Sequence, residues 1–267
     1  MDKRGMLLIV GAGIRTDSQL TREAEKAIVA ADKVLFAAQD PWAVRVIRAL
    51  RADAESLSYP HDGRPRRQIY EEMVERIVVE VLQGQKVCAV FYGHPGVLAD
   101  APHEAIRRVA GAGLVARMCP GVSFLDCLFA DLGVDPVRQG CTVLEASDFL
   151  FRPRRLDPRV SLVLSQISQI GNSGVFDAED HDRITRGLSL LSEVLCESWP
   201  GDHEAILYEA SFMPGTPPRR EPVAVRDLGS AAVSEVSSLW VPALPPPAVD
   251  RRRAARLGWP GAGRTAA

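Results

Sequence analysis

The sequence has few of the features that mark metal, redox, secreted or membrane proteins. Its five cysteines form no CxxC pair and no cysteine–histidine ligand spacing, so we expect buried free thiols rather than disulfides or a zinc site. The Asp and Glu residues show no paired ligand spacing either. The run "MLLIV" is too short for a signal peptide, and no segment approaches the length of a membrane span. These absences predict a cytoplasmic protein without a membrane partner.

The chain also lacks an excess of either charge. Its 267 residues carry 32 Lys and Arg against 34 Asp and Glu, which gives a formal net charge of −2. A nucleic-acid binder normally shows a strong basic excess, so we expect no nucleic acid as a partner. Hydrophobic residues make up 46% and charged residues 25%, the balance of a globular protein with one large domain or two medium ones.

Two familiar site motifs are incomplete or absent. "VGAGIRTDSQL" places Gly11 and Gly13 after a buried strand, but the third glycine of a dinucleotide-binding GxGxxG fingerprint is missing. Two glycines still let a ligand approach the backbone amides. Ser123 is not part of a Gly-x-Ser-x-Gly elbow, so we do not predict a nucleophile there. It is predicted to cap the following helix while facing a cleft.

Buried strands alternate with amphipathic helices up to about residue 120, which is typical of an α/β domain with a mainly parallel sheet. Beyond that point "QGCTVLEASDFL", "RVSLVLSQIS", "HEAILYEAS" and "EVSSLWVPAL" predict strands in a mixed, partly antiparallel sheet. We therefore predict an N-terminal domain at 1–119 and a C-terminal α/β domain at 120–242. The remaining 243–267, rich in proline and arginine, is expected to be a disordered or loosely docked tail, or an arm on a partner subunit.

Two loops of glycine and proline follow predicted strands. The turn Gly93-His94-Pro95-Gly96 follows Tyr92, and Pro120-Gly121 precedes Ser123. Ligands of open α/β sheets bind at the carboxyl ends of strands, and these loops leave room for one against the backbone. His94 is interpreted either as a catalytic base or as a structural hydrogen-bonding group.

Taken together, "VGAG", "YGHPGV" and "PGVS" resemble the tetrapyrrole methylase family, or class III S-adenosylmethionine-dependent methyltransferases, over residues 6 to about 242. The resemblance implies two α/β domains with S-adenosylmethionine in the cleft between them, and S-adenosylhomocysteine as a product. It implies no metal, because the sulfonium is already an activated electrophile. The donor contacts that it implies are Gly11, Gly13, His94, Pro95, Gly96, Val97, Ser123 and Gln166.

A narrower likeness points to a peptide substrate. "YGHPGV", "PGVSFLDCLFADLGVDPVRQGC", "EASDFL" and "DGRPRRQIY" look like the borosin peptide backbone α-N-methyltransferases, which methylate amides of a ribosomally made peptide. That peptide is either the enzyme's own C-terminus or a separate small protein. The tail "DRRRAARLGWPGAGRTAA" lacks the apolar run of a fused substrate, so we expect a separate precursor acted on in trans. The resemblance also implies a homodimer.

The same likeness implies catalytic roles within "YPHDGRPRRQIY". Arg66 and Tyr70 match the family pattern, and Tyr92 matches a tyrosine near the donor's methyl group. A peptide N–H is barely acidic, so the site needs a base and donors for the charge that builds on the carbonyl oxygen. A tyrosinate favoured by a nearby arginine could supply the base. The first tyrosine is out of register, since its slot is Pro60, so either Tyr59 takes that role or the base lies elsewhere.

The sequence leaves two alternative functions open. One keeps the fold but changes the acceptor to a corrin or porphyrin carbon, or to an RNA ribose. The near-zero charge and the Asp62–Tyr70 segment argue against it. The other is a non-catalytic donor-binding partner in a peptide-modifying complex, which the off-register Tyr59 keeps open.

Overall fold

The computed structural model describes residues 5–260 except 39, 58, 60–63, 173, 175, 176 and 179. Pro60 and the predicted Asp62-Gly63 turn lie outside the described residues. Within them the chain forms two five-stranded sheets, one from each half of the sequence. None of the helices in this part of the chain is long and apolar enough to cross a membrane.

The first sheet is entirely parallel, with the strand order β3-β2-β4-β1-β5. Helices cover both of its faces, so the inner strands β1, β2 and β4 are mainly apolar and buried, as expected for a parallel sheet. The edge strands β3 and β5 contain polar residues and are partly exposed. Its elements are β1 (Met6–Gly11), α1 (Thr16–Gln19), α2 (Arg22–Ala30), β2 (Lys33–Ala37), α3 (Pro41–Leu50), β3 (Glu55–Ser56), α4 (Arg66–Leu82), β4 (Lys86–Phe91), α5 (Asp100–Gly111) and β5 (Val115–Met118).

The second sheet is mixed, with the order β6-β7-β10-β8-β9 and one parallel pair, β6 with β7. Its elements are α6 (Phe124–Leu132), β6 (Cys141–Glu145), α7 (Ala146–Phe151), β7 (Ser161–Ser165), α8 (His181–Cys196), β8 (Glu204–Glu209), β9 (Arg219–Ala224), β10 (Ser238–Val241) and α9 (Arg251–Arg256). Short 3₁₀ helices occupy Ile167–Gln169 and Val225–Ser230. The predicted fold class, a parallel-sheet half followed by a mixed-sheet half, is confirmed.

One local prediction needs correction, and two strands were not predicted. "QGCTVLEASDFL" is strand only at Cys141–Glu145, because the Glu145 side chain accepts hydrogen bonds from the amides of Ser147 and Asp148 and starts α7. The edge strand β9 was not predicted, since its sequence "RREPVA" carries the charges and proline that protect sheet edges. The two-residue β3 was also missed, and it is too short to leave a periodic pattern.

The five cysteines are all free, as predicted, but the predicted burial holds for only two of them. Cys88 and Cys119 are buried, Cys127 and Cys141 are half-buried, and Cys196 is exposed. Burial raises the pKa of the Cys88 thiol to about 12, which makes it an unreactive core group.

Candidate active site

A cleft of about 1010 Å³ opens at the carboxyl edge of the first sheet, and both halves of the chain line it. The first half contributes the segments that follow β2 and β4, together with side chains of α4 and α5. The second half contributes the start of α6, the segment after β7, the end of β8 and residues 234–238. The cleft is therefore formed by the two sheets together.

Glycines allow three strand-end loops to meet at this edge. Gly13 and Gly93 exchange backbone hydrogen bonds of 3.2 and 3.0 Å. A Cβ added to Gly11 would lie 2.2 Å from the carbonyl oxygen of Gly93, and one on Gly121 would lie 3.1 Å from the Cα of Gly11. These glycines are thus required for contact between backbones, which joins the loops after β1, β4 and β5.

The eight predicted donor contacts divide into two groups in the structure. His94, Val97, Ser123 and Gln166 line the cleft. Gly11, the last residue of β1, and Gly13, Pro95 and Gly96, in the loops after β1 and β4, support the cleft but are not part of its lining. The assignment of all eight residues to the donor stays a prediction. The four residues outside the lining pack the loops against one another.

His94 makes a structural hydrogen bond. Its Nδ1 accepts from the backbone amide of Gly96 at 2.9 Å, so the ring carries no proton on Nδ1 when this bond is formed. The Nε2 of His103 lies 3.2 Å from the carbonyl oxygen of the same Gly96. The two histidines therefore stabilise the Gly93–Gly96 turn through the backbone amide and the carbonyl oxygen of Gly96.

Ser123 caps α6, as predicted, and also lines the cleft. Its Oγ accepts from the amide of Asp126, while its own amide donates to Asp126 Oδ2 at 2.7 Å, a reciprocal capping box. The Ser123 hydroxyl also donates to Asp126 Oδ2 at 2.6 Å. The capping box thus fixes the first turn of a helix at the wall of the cleft.

Tyr59, Arg66 and Tyr70 all line the cleft. Helix α4 begins at Arg66, so Arg66 and Tyr70 are separated by one turn and share a face, as the i and i+4 spacing predicted. The rings of Tyr59 and Tyr70 lie with their centroids 6.1 Å apart and their planes inclined by 39°. The structure therefore brings together the three predicted catalytic residues of "YPHDGRPRRQIY".

The phenol of Tyr70 is harder to ionise than a free tyrosine. Burial raises its pKa well above 10, and its charge interaction and hydrogen bond with Tyr59 raise the pKa further. The positive charge of Arg66 lowers the pKa, as expected, but is outweighed by burial. Without a further positive charge in the cleft, Tyr70 is protonated at neutral pH.

Arg66 connects the two halves of the chain. Its Nη2 donates to Gln169 Oε1 at 3.2 Å and to the carbonyl oxygen of Gly174 at 2.9 Å. Its Nε is buried and has no hydrogen-bond partner among the described residues. A buried donor without a partner costs about 1–3 kcal/mol, so this N–H is available for an acceptor supplied by a ligand.

Tyr92 lies on the cleft wall at the end of β4, with 39% of its surface exposed. Partial burial raises its pKa to about 12, and the nearby carboxylates of Asp40 and Glu235 also raise it. Tyr92 is therefore a neutral hydrogen-bonding group near neutral pH.

Several cleft residues were not found from the sequence. Tyr208 is buried at the end of β8 and donates to Asp131 Oδ2 at 2.6 Å. Gln169 follows β7 and is only 6% exposed. Leu98 lines the cleft with a left-handed backbone, φ 54°, and Gln166 shares this conformation with φ 55°. Two sequence features could have indicated these residues: Leu98 follows the Gly93–Gly96 turn by two positions, and Tyr208 lies at the end of a predicted strand.

The lining is negative overall. Among the described lining residues, the carboxylates of Asp40, Asp100, Glu209 and Glu235 face a single guanidinium, that of Arg66. A cleft of this charge favours a cationic ligand, and its volume exceeds that of a single small molecule. No group of three or more metal-ligating side chains occurs among the described residues.

The fold is that of the two-domain tetrapyrrole methyltransferases. The solved uroporphyrin-III-C-methyltransferase from Thermus thermophilus superposes with a TM-score of 0.62 at 21% identity, over 90% of this chain and 93% of that one. The family model described as Tetrapyrrole (Corrin/Porphyrin) Methylases matches residues 6–215. The chain belongs to this family of methyltransferases, whose methyl donor is S-adenosylmethionine.

Relatives with higher identity are fungal methyltransferase–precursor fusions. The chain is 35% identical over 246 residues to the methyltransferase/ribosomally synthesized cyclic peptide dendrothelin A precursor of Dendrothele bispora. It is 36% identical over 246 residues to the corresponding omphalotin A precursor of Omphalotus olearius. Both matches cover 90% of this chain but 58% of the relative's length. The match therefore spans little more than half of each fusion protein.

Proposed function

We propose that this protein transfers methyl groups from S-adenosylmethionine to backbone amide nitrogens of a separate, ribosomally made precursor peptide. The observation that carries the proposal is the grouping of Tyr59, Arg66 and Tyr70 in the same cleft as the strand-end loops. The names of the fungal relatives, which join a methyltransferase to a ribosomally synthesized peptide precursor, support the substrate class.

The residues proposed to hold the donor are His94, Val97, Ser123 and Gln166, on loops that Gly11, Gly13, Pro95 and Gly96 shape. The negative lining fits a donor that carries a sulfonium and an ammonium group. When bound, the donor supplies an electrophilic methyl group. Tyr92, at the end of β4, is proposed to line the path between that group and the acceptor.

Tyr70 is proposed as the base and Arg66 as the group that stabilises the acceptor. As an ionised phenolate, Tyr70 would take the proton from the amide nitrogen. That nitrogen would then bond to the methyl carbon as the bond from this carbon to the sulfonium sulfur breaks, which leaves S-adenosylhomocysteine. The carbonyl oxygen gains negative charge in this step, and the guanidinium of Arg66 offers it N–H donors. A positive ligand charge in the cleft lowers the pKa of Tyr70 and thereby opposes the effect of burial.

A separate peptide has room to enter this cleft. Among the described residues, none after Ser238 lines it, so this part of the chain does not occupy the cleft. Its rim carries the exposed apolar side chains of Leu98, Phe212 and Val236, which suit the apolar side chains of an extended peptide. Methylation in trans and a homodimeric enzyme are both part of the proposal.

The test supplies the purified protein with S-adenosylmethionine bearing a labelled methyl group and with the peptides encoded beside its gene. Tandem mass spectrometry should place the label on backbone amides of a peptide that is not covalently joined to the enzyme. Label on a carbon of an added porphyrin or corrin, and none on any peptide, would contradict the proposal. Methylation of only a covalently attached peptide would contradict the trans arrangement alone.

Two substitutions connect this activity to the cleft. Tyr70→Phe and Arg66→Ala should abolish turnover, because one removes the proton acceptor and the other the donors for the carbonyl oxygen. Donor binding, measured by calorimetry, should stay nearly unchanged in both. Full activity in either variant would remove that residue from the proposed chemistry.

A further inference from the structure

Gln169 is a buried polar side chain at the junction of the two halves. It ends the 3₁₀ helix that follows β7, lines the cleft, and exposes only 6% of its surface. Its Oε1 accepts from Arg66 Nη2 at 3.2 Å and from Asn172 Nδ2 at 2.9 Å. A burial this deep is unusual for a glutamine, and the same oxygen, Oε1, accepts both of these hydrogen bonds.

The backbone around Gln169 is fixed from the opposite side. Arg183 of α8 donates to the carbonyl oxygens of Ser168 at 3.0 Å and Ile170 at 3.1 Å, which flank Gln169. Arg183 is in turn held by Asp180, whose Oδ2 accepts from its Nε at 2.8 Å. The position of Gln169 is therefore set by α8 rather than by Arg66.

The segment that contains Gln169 also provides the second acceptor of the Arg66 guanidinium. The carbonyl oxygen of Gly174 accepts from Arg66 Nη2, and the amide of Gly174 donates to Asn172 Oδ1 at 2.8 Å. Both acceptors of the guanidinium thus belong to one hydrogen-bonded segment of the second half. The bonds occupy Nη2 and leave the buried Nε–H without a partner among the described residues.

We propose that Gln169 is a positioning residue that holds the Arg66 guanidinium with its Nε–H free for the carbonyl oxygen of the acceptor amide, an assignment that rests on the proposed function. Gln169 acts through Arg66. A guanidinium on a long side chain would otherwise adopt many rotamers, and fixing one of them before the acceptor arrives lowers the cost of reaching the reactive geometry.

The kinetic test compares Gln169→Leu with Gln169→Glu. The leucine removes the acceptor oxygen at similar size, and we expect kcat to fall about 100-fold, the effect of a misplaced catalytic group. Donor affinity should be unchanged, and the variant should stay folded at the assay temperature with a slightly lower thermal midpoint. The glutamate keeps an oxygen acceptor and should recover part of the lost rate. Gln139→Leu, at an exposed glutamine outside the cleft, is the matched control and should leave kcat unchanged.

The coupling test repeats Gln169→Leu in an Arg66→Lys background, in single-turnover reactions. If Gln169 acts through Arg66, its loss should add less than about a twofold effect there, since the guanidinium that it positions is already absent. Equal rate losses in both backgrounds would overturn the proposal. So would a loss of donor affinity or thermal stability that parallels the loss of kcat.

A spectroscopic arm does not depend on activity. The ¹⁵N spectrum of arginine Nε–H groups identifies the Arg66 signal by its absence in Arg66→Lys. That signal should be sharp in the wild type and in Gln169→Glu, and broadened or lost in Gln169→Leu. An unchanged signal in Gln169→Leu overturns the proposal. If the wild type methylates no peptide, the proposed function fails, whereas this signal still reports whether Gln169 orders Arg66.

Discussion

At the scale of single residues, the balance of charge and burial around Tyr70 decides how the site can work. Arg66 lies one helical turn away and favours the phenolate, but burial and Tyr59 favour the neutral phenol. Burial and Tyr59 together outweigh Arg66, so the pKa of Tyr70 stays above its ordinary value. In the proposed mechanism, the positive charge of a ligand in the cleft lowers the pKa of Tyr70, and this would couple deprotonation of Tyr70 to donor binding.

The raised pKa predicts how the methyl-transfer rate depends on pH. Below the pKa of the base, the phenolate fraction rises with pH, so kcat/KM should increase about tenfold per pH unit. Initial rates measured by mass spectrometry between neutral and mildly alkaline pH check this slope. A flat profile would show that proton transfer from the amide to Tyr70 does not limit the reaction.

Tyr59→Phe separates the two tyrosines in the same assay. Because Tyr59 raises the pKa of Tyr70, its removal should move the rising limb of the profile to lower pH while activity is retained. Loss of activity at every pH would instead assign the base to Tyr59, despite its position beside the expected register.

At the scale of elements, the site depends on loops and helix ends rather than on the strands themselves. Helix α6 starts at a capping box that also forms part of the cleft wall, and helix α4 starts at Arg66. Three glycine loops meet backbone to backbone at the ends of β1, β4 and β5. Substitutions at these positions should therefore affect both the free energy of unfolding and donor binding.

The capping box offers a matched pair of substitutions. Ser123→Ala and Asp126→Ala each remove one half of it, and each should lower the free energy of unfolding by about 1 kcal/mol in urea titrations. Ser123 lines the cleft and Asp126 does not, so only Ser123→Ala should weaken donor binding in calorimetry. Equal donor affinities in the two variants would exclude Ser123 from the donor site.

The close approach of the loops makes Gly11 intolerant of a side chain. In Gly11→Ala the new Cβ would meet the Gly93 carbonyl oxygen at 2.2 Å, where backbone atoms on both sides cannot yield. We expect a loss of about 3 kcal/mol in the free energy of unfolding, together with weaker donor binding.

The control for this substitution is Gly111→Ala at the end of α5, where an added Cβ meets nothing within 4 Å. That variant should be unchanged or more stable by up to about 1 kcal/mol, because alanine favours a helix over glycine. Similar destabilisation of both variants would show that contact between the loops is not the cause.

At the scale of the whole molecule, one cleft is shared by two sheets from different parts of the sequence. A ligand bound there contacts both halves and binds only when both are folded. S-adenosylhomocysteine at 100 times its dissociation constant should therefore stabilise the protein by about 2.7 kcal/mol. The thermal midpoint, followed by calorimetry, should rise as one cooperative transition. If calorimetry shows two unfolding transitions and the ligand raises the midpoint of only one, the ligand binds to a single half of the chain.

The sequence by itself determined the elements and the strand-end loops. Buried apolar runs predicted β1 and β4, and helical spacing predicted α4. The glycines of "VGAG", "YGHPG" and "PGVS" predicted where a ligand could approach. These features depend on neighbours within a few positions, so they can be read along the chain. The i and i+4 placement of Arg66 and Tyr70 belongs with them, because it needed only a helix that starts at Arg66.

Only the tertiary structure decided what surrounds those residues. The bond from Arg66 to Gln169 joins positions 103 residues apart, and the bond from Tyr208 to Asp131 joins positions 77 apart. No local pattern encodes such pairs, because they depend on how the two sheets face each other. The same holds for the pKa of Tyr70, since desolvation depends on the full set of atoms around a group. The sequence thus located the catalytic candidates, and packing between the sheets decided their ionisation and their partners.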